Sequence, residues 1–168
     1  MKYDDEGVPT EKTVIIKKGI CRGFLHSRET AQHFGVNPTG NARAWSFEFD
    51  PIIRMRNTYI ESGDYELEEL AENIKEGFFL KGGLSGQADF NGEFMFGTQE
   101  AVKIKNGKFA ESLRGVTISG NAFEVLKNVD AIGKDFIMRT GMCGKEQVNY
   151  VGIGGSSLRT KVLMGGAK

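Results

Sequence analysis

The chain has 168 residues, 39% hydrophobic and 26% charged, with 22 basic and 22 acidic side chains and a formal net charge of zero. That profile suits a single globular domain over residues 1–168, long enough to bury its own core, and excludes disordered and collagen-like classes. It also speaks against a nucleic-acid partner, because Lys17-Lys18 and the spaced Arg54 and Arg56 are the nearest approach to a basic patch.

The opening "MKYDDEGVPT" is polar and resembles no signal peptide, and no apolar stretch approaches membrane-spanning length. A cytoplasmic location without membrane contact is therefore expected, with Cys21 and Cys143 as free thiols.

In chain order, "EKTVIIKKGICRGFL" (11–25) predicts a hairpin broken at Lys18-Gly19. "SRETAQHFG" (27–35) predicts a short helix with Ser27 as N-cap, Thr30 three residues on and a terminal glycine. "RAWSFEFDP" (43–51) and "RMRNTYIESG" (54–63) alternate like strands, with the loop "VNPTGN" before them. "DYELEELAENIKEGF" (64–78) predicts a helix: Leu67, Leu70, Ala71 and Ile74 recur at helical spacing, acids crowd the first turn, and Gly77 is the expected stop. Asn91-Gly92 and Asn106-Gly107 predict two further hairpins. "NAFEVLKNVDAIG" (121–133) predicts a helix opened by Asn121 and closed by Gly133, before strands return in "QVNYVGIGG" and "SSLRTKVLM". The expected class is α+β, mainly antiparallel sheet with many hairpins and two or three short helices.

Few residues carry obvious chemistry. His26 and His33 lie seven apart, which on a helix separates them by about 10 Å, too far for one zinc. Asp4, Asp5 and Glu6 form an acidic cluster that reads by default as solvated or turn-forming. The glycines of "VGIGGSS" lack the following helix that a phosphate loop requires, so they read as a strand with a bulge or tight turn. Cys21, between Ile20 and Phe24, is expected in the core. Cys143, in "RTGMCGKEQV", is framed by Gly141 and Gly144 and is expected on an open loop. As a nucleophile it needs a histidine in reach, and as a metal ligand it needs partners; the residues alone leave it unexplained.

The order of the motifs is more specific than any one of them. "DDEGVPTEKTVIIKKGICRGFL", "PTGNAR", "RMRNTYIESG", "GGLSGQADFNGEFMFGTQEAVKIKNGK", "GVTISGNAFEVLKNV", "GKD", "GMCGKEQ" and "LMGG" together resemble the C-terminal domain of the TldD/PmbA proteins, long labelled modulators of DNA gyrase. The resemblance runs from Asp4 to Gly166. It implies a TldD-type zinc metallopeptidase subunit that cleaves unfolded peptides within a cytoplasmic dimer of TldD/PmbA type. It further implies that Cys143 is a zinc ligand; Gly141, Gly144 and Lys145 beside it are the candidate substrate-binding residues. The family's H-E-x-x-x-H helix, which supplies two histidine ligands and the glutamate that takes a proton from zinc-bound water, has no match here. The chain is therefore expected to be a C-terminal portion holding no catalytic residue and no zinc by itself. The other reading is a non-catalytic peptide-binding or assembly module like the PmbA (TldE) partner subunit.

Overall fold

The computed structural model describes residues 1–166. Its elements run β1 (Ile16–Lys17), β2 (Ile20–Cys21), α1 (Arg28–Phe34), β3 (Ala42–Arg43), β4 (Ile52–Ile53), β5 (Asn57–Ile60), α2 (Leu67–Glu72), β6 (Glu76–Ala88), β7 (Glu93–Lys105), β8 (Lys108–Asn121), α3 (Ala122–Lys127), β9 (Ala131–Ile132), β10 (Ile137–Lys145), β11 (Gln147–Gly155), β12 (Leu158–Arg159) and β13 (Leu163–Gly165). This is the α+β, hairpin-rich class that the sequence patterning implies. The elements gather into two compact units, one of residues 1–60 and 137–154, the other of residues 61–136 and 155–166.

The first unit holds β10, β11 and β5 as a three-stranded sheet in that order, with the small pairs β1–β2 and β3–β4. Lys18 and Gly19 sit at φ 52 and 74, the left-handed pair that a two-residue hairpin turn demands. Helix α1 forms as its caps dictate. Ser27 accepts from the Thr30 amide, Thr30 returns the bond to the Ser27 amide, and Gly35 closes the helix at φ 64.

The second unit is built on a four-stranded antiparallel sheet in the order β13-β8-β7-β6. Asn106 and Gly107 turn β7 into β8 with φ 47 and 78. The Asn91-Gly92 hairpin also forms, but through a longer turn in which only Gly92 is left-handed and the Asn91 side chain accepts from the Glu93 amide. Val102, Ile104 and Val116 of this sheet are buried with Leu70 and Ala71 of α2, which form the core of the unit.

Four expectations fail locally. Helix α2 ends at Glu72, not at Gly77, because Lys75 and Ile74 give their carbonyls to the Asn106 and Gly107 amides and Gly77 pairs with Ile104. Helix α3 ends at Lys127, where Asn128 caps it with its side chain on the Glu124 carbonyl, leaving Ala131 to pair with Arg159. Over 43–51 only Arg43 is strand; Ser46 folds the chain into a turn by bonding Glu48 and Phe49, so Phe47 is 97% exposed. Cys21 is exposed rather than in the core, since the β1–β2 pair has both residues of each strand facing solvent.

Candidate functional site

Cys143 lies in β10 and not in a loop. The glycines around it permit a strand as well as a turn, and the reversal falls later, at Glu146, whose φ is 58. Gly154 approaches Ile137 and Gly141 approaches Val151 and Ile153, which fixes β10 and β11 as an antiparallel hairpin. Side chains alternate across a strand. Accordingly Gly141 and Cys143 share the half-buried face, while Met142 and Gly144 are exposed.

The end of this hairpin closes on one buried cation. Arg54, 2% exposed, donates from Nη1 to the carbonyls of Lys145 (3.0 Å) and Gln147 (2.6 Å), and from Nη2 to the carbonyl of Cys143. Its own backbone is held by Asn41, which accepts from the Arg54 amide at 2.9 Å and donates to the Arg54 carbonyl at 3.1 Å. Lys145 sends its ammonium to the Ile53 carbonyl at 3.1 Å. Gln147 accepts from the Trp45 amide at 2.9 Å and donates to the Asp50 carbonyl at 2.9 Å. Arg43 joins the same region, donating to the carbonyls of Met55 (2.8 Å) and Tyr150 (2.9 Å). Burial pushes the Arg43 guanidinium below its ordinary pKa; Asp5 opposes that effect, and Arg54 and Arg56 add to it.

The acidic cluster turns out to be scaffold. Asp4 is 6% exposed, and its carboxylate accepts from the amides of Glu6 (3.0 Å), Val8 (2.8 Å) and Ala42 (3.0 Å). Asp5 accepts from the Ala44 amide at 2.8 Å, and Glu6 from the Arg28 amide at the start of α1, also at 2.8 Å. These carboxylates tie the first residues to β3 and α1. The Asp4 bonds to Glu6 and Val8 form the local turn that the sequence reading allows, whereas the donors at Arg28, Ala42 and Ala44 lie 22 to 39 residues away and leave no mark in the spacing of "DDEG".

His26 precedes α1 and His33 lies within it. His26 Nδ1 is 3.3 Å from the Thr30 hydroxyl, and both imidazoles rest against Phe34. The glycines of "VGIGG" belong to β11, as their strand reading requires; a Cβ on Gly152 would fall 2.3 Å from the Asn57 side chain and one on Gly154 2.2 Å from the Ile137 carbonyl. Among the described residues, no three His, Cys, Asp or Glu side chains come together in a way that could hold a metal. Cys143 is a free, half-buried thiol, so it can offer a metal one sulfur donor, and the remaining donors must come from other residues. Among the described residues, no helix is long and apolar enough to cross a membrane.

The family model for the PmbA/TldA metallopeptidase C-terminal domain matches residues 1–165. The chain belongs to that family. Within the PmbA/TldA family it is similar to a metalloprotease of Methanocaldococcus jannaschii, 48% identical over 161 residues, covering 95% of this chain and 36% of the relative. It is 43% identical to a zinc metalloprotease TldD homolog of Saccharolobus solfataricus over 162 residues, 96% of this chain and 37% of that protein. Among solved structures, TldE from Thermococcus kodakarensis superposes with a TM-score of 0.80 at 25% identity, covering 99% of this chain and 36% of TldE. The chain thus spans a little over a third of the length of the relatives it matches.

Proposed function

We propose that this chain is the C-terminal portion of a TldD-like zinc metallopeptidase that cleaves unfolded peptides, and that Cys143 is its contribution to the zinc site. The observation that carries this reading is the 43–48% identity, over at least 95% of the chain, to relatives named as metalloproteases, one of them as a zinc enzyme. A thiol held on a strand by its backbone, and unclaimed by a disulfide, suits a ligand better than a core residue.

Zinc, when bound, would activate a water and polarise the scissile carbonyl. The chain's own residues hold the sulfur in place and offer strand edges on which an extended peptide can lie. Gly144 leaves open space beside Cys143, with no atom within 4 Å of where a Cβ would stand, and Gly141 allows Ile153 to close over the half-buried face. Lys145 is anchored to a carbonyl, so its part in substrate binding runs through the hairpin's shape and not through a free ammonium.

A cytoplasmic assembly with a partner of TldD/PmbA type completes the proposal. Large apolar side chains stand bare in both units, Phe24 at 68% and Phe47 at 97% in the first, Phe90 at 108% and Leu163 at 72% in the second. Such exposure is what covered surfaces look like when the cover is removed. The similarity to TldE favours a second reading, a non-catalytic partner module, but it rests on 25% identity against 43–48% for the metalloproteases.

The experiment is Cys143→Ser in the intact peptidase. A neutral hydroxyl is a poor zinc ligand beside a thiolate, so zinc content and hydrolysis of an unfolded casein substrate should both fall while the melting temperature holds. Full zinc and full activity in that variant would remove Cys143 from the site.

A further inference from the structure

We propose that Arg54 is a positioning residue for Cys143, fixing through the peptide backbone where the ligand sulfur stands; this rests on Cys143 being a zinc ligand. Cys143 has little else to fix it. On its own strand a Cβ at the neighbouring Gly144 would have nothing within 4 Å, and Met142 is 61% exposed. In the sheet order β10 is terminal, with β11 its one strand neighbour among the described residues, and the Lys145 ammonium adds a tie to the Ile53 carbonyl.

Against that freedom stands one guanidinium that spans both limbs of the hairpin. Its two nitrogens reach the carbonyls at 143 and 145 on β10 and at 147 on β11. All three bonds are charge-assisted, and Arg54 is 2% exposed, so water competes weakly for those carbonyls. Pinning the Cys143 carbonyl fixes the peptide plane that follows its Cα and so steadies the direction in which its Cβ and Sγ leave the chain. Metal–ligand distances fall within about 0.2 Å of their standard values, and groups that orient a ligand contribute to affinity, so such a restraint bears on zinc binding.

The planar fork, and not the charge alone, meets the geometry. A lysine would bring one nitrogen where Arg54 brings two. Arg54 also has its own backbone clamped at both the amide and the carbonyl by Asn41, so the fork is set on a fixed base.

The test compares Arg54→Lys, Arg54→Met and Cys143→Ser in the intact peptidase. Two properties are read: zinc affinity, by competition with a chromogenic chelator, and the thiolate-to-metal absorption band of the cobalt(II)-substituted protein. Arg54→Lys, which keeps the charge and most of the volume, should weaken zinc binding about 10- to 100-fold, the usual effect of removing a group that orients a metal ligand. It should also shift or weaken the cobalt band, which a merely structural arginine would leave unmoved while lowering the melting temperature. Arg54→Met should show a larger loss of both; should it fail to fold, the lysine variant decides. If Cys143→Ser loses the band but Arg54→Lys keeps wild-type affinity and band, the role of Arg54 is refuted and the ligand reading stands. If Cys143→Ser keeps zinc at wild-type affinity, the ligand reading fails and this inference falls with it.

Discussion

Replacing Asp4 by alanine should cost this chain a large part of its stability. The carboxylate takes three backbone amides, from Glu6, Val8 and Ala42, and Ala42 is 0% exposed. Without Asp4 the Ala42 N–H is a buried donor with no acceptor, which costs about 1–3 kcal/mol. The Glu6 and Val8 amides are half-covered and can recruit water, so each forfeits roughly 1 kcal/mol of net bonding. The sum, about 3–5 kcal/mol, is a major fraction of the roughly 5–15 kcal/mol typical of a domain. Asp4→Asn should recover only part of this, because its amide oxygen can serve one side while its NH2 faces a donor on the other. Urea unfolding followed by Trp45 fluorescence, the single tryptophan and one residue beyond the Asp5-bound Ala44, reports the unit directly. An Asp4→Ala midpoint that implies a change under about 0.5 kcal/mol would refute the anchoring role of this carboxylate.

Three further outcomes follow from the same structure. Asp130 is held below the usual carboxylate range by the hydrogen bond and charge of Arg159, so its stabilisation is present above about pH 4 and is lost as pH falls through the lower folded value. The stability difference between wild type and Asp130→Asn should therefore be measurable near pH 6 and shrink as pH falls through the lowered folded value; a difference that grew on acidification would contradict the assignment. Gly154→Ala would set a Cβ 2.2 Å from the Ile137 carbonyl, so the variant should speed amide exchange across β10 and β11 and cost about 1–3 kcal/mol, whereas unchanged exchange would contradict the close approach. Cys21 is exposed and Cys143 half-buried, so a thiol reagent followed by peptide mass spectrometry should modify Cys21 first; the reverse order would contradict the placement of both.

Local chemistry was readable along the chain, and distant contacts were not. The Ser27–Thr30 cap, the Gly35 stop and the left-handed pairs Lys18-Gly19 and Asn106-Gly107 each depend on residues within one turn, and all appear where their sequence places them. The ends of α2 and α3 were misjudged because strand pairing from far away, Gly77 with Ile104 and Ala131 with Arg159, outweighs the helical pattern. Cys21 looked apolar in context, but a two-residue strand pair has no second layer to bury it. At the candidate site, Cys143 stood out through its glycine frame and gained a role only through family resemblance. Arg54 reads only as half of a spaced, solvated basic pair with Arg56, yet it is 2% exposed; its three carbonyl partners lie 89 to 93 residues away, and any exposed arginine has the same local signature.

X-ray absorption at the zinc edge, on the intact peptidase and its Cys143→Ser variant, tests the central claim most directly. A zinc-bound thiolate contributes a sulfur scatterer at about 2.3 Å, distinct from nitrogen and oxygen ligands near about 2.0–2.1 Å. The wild-type spectrum should require one sulfur, and the serine variant should lose it along with most of its zinc. A first shell of nitrogen and oxygen alone in the wild type, or a sulfur that persists in the variant, would contradict Cys143 as the ligand this chain provides.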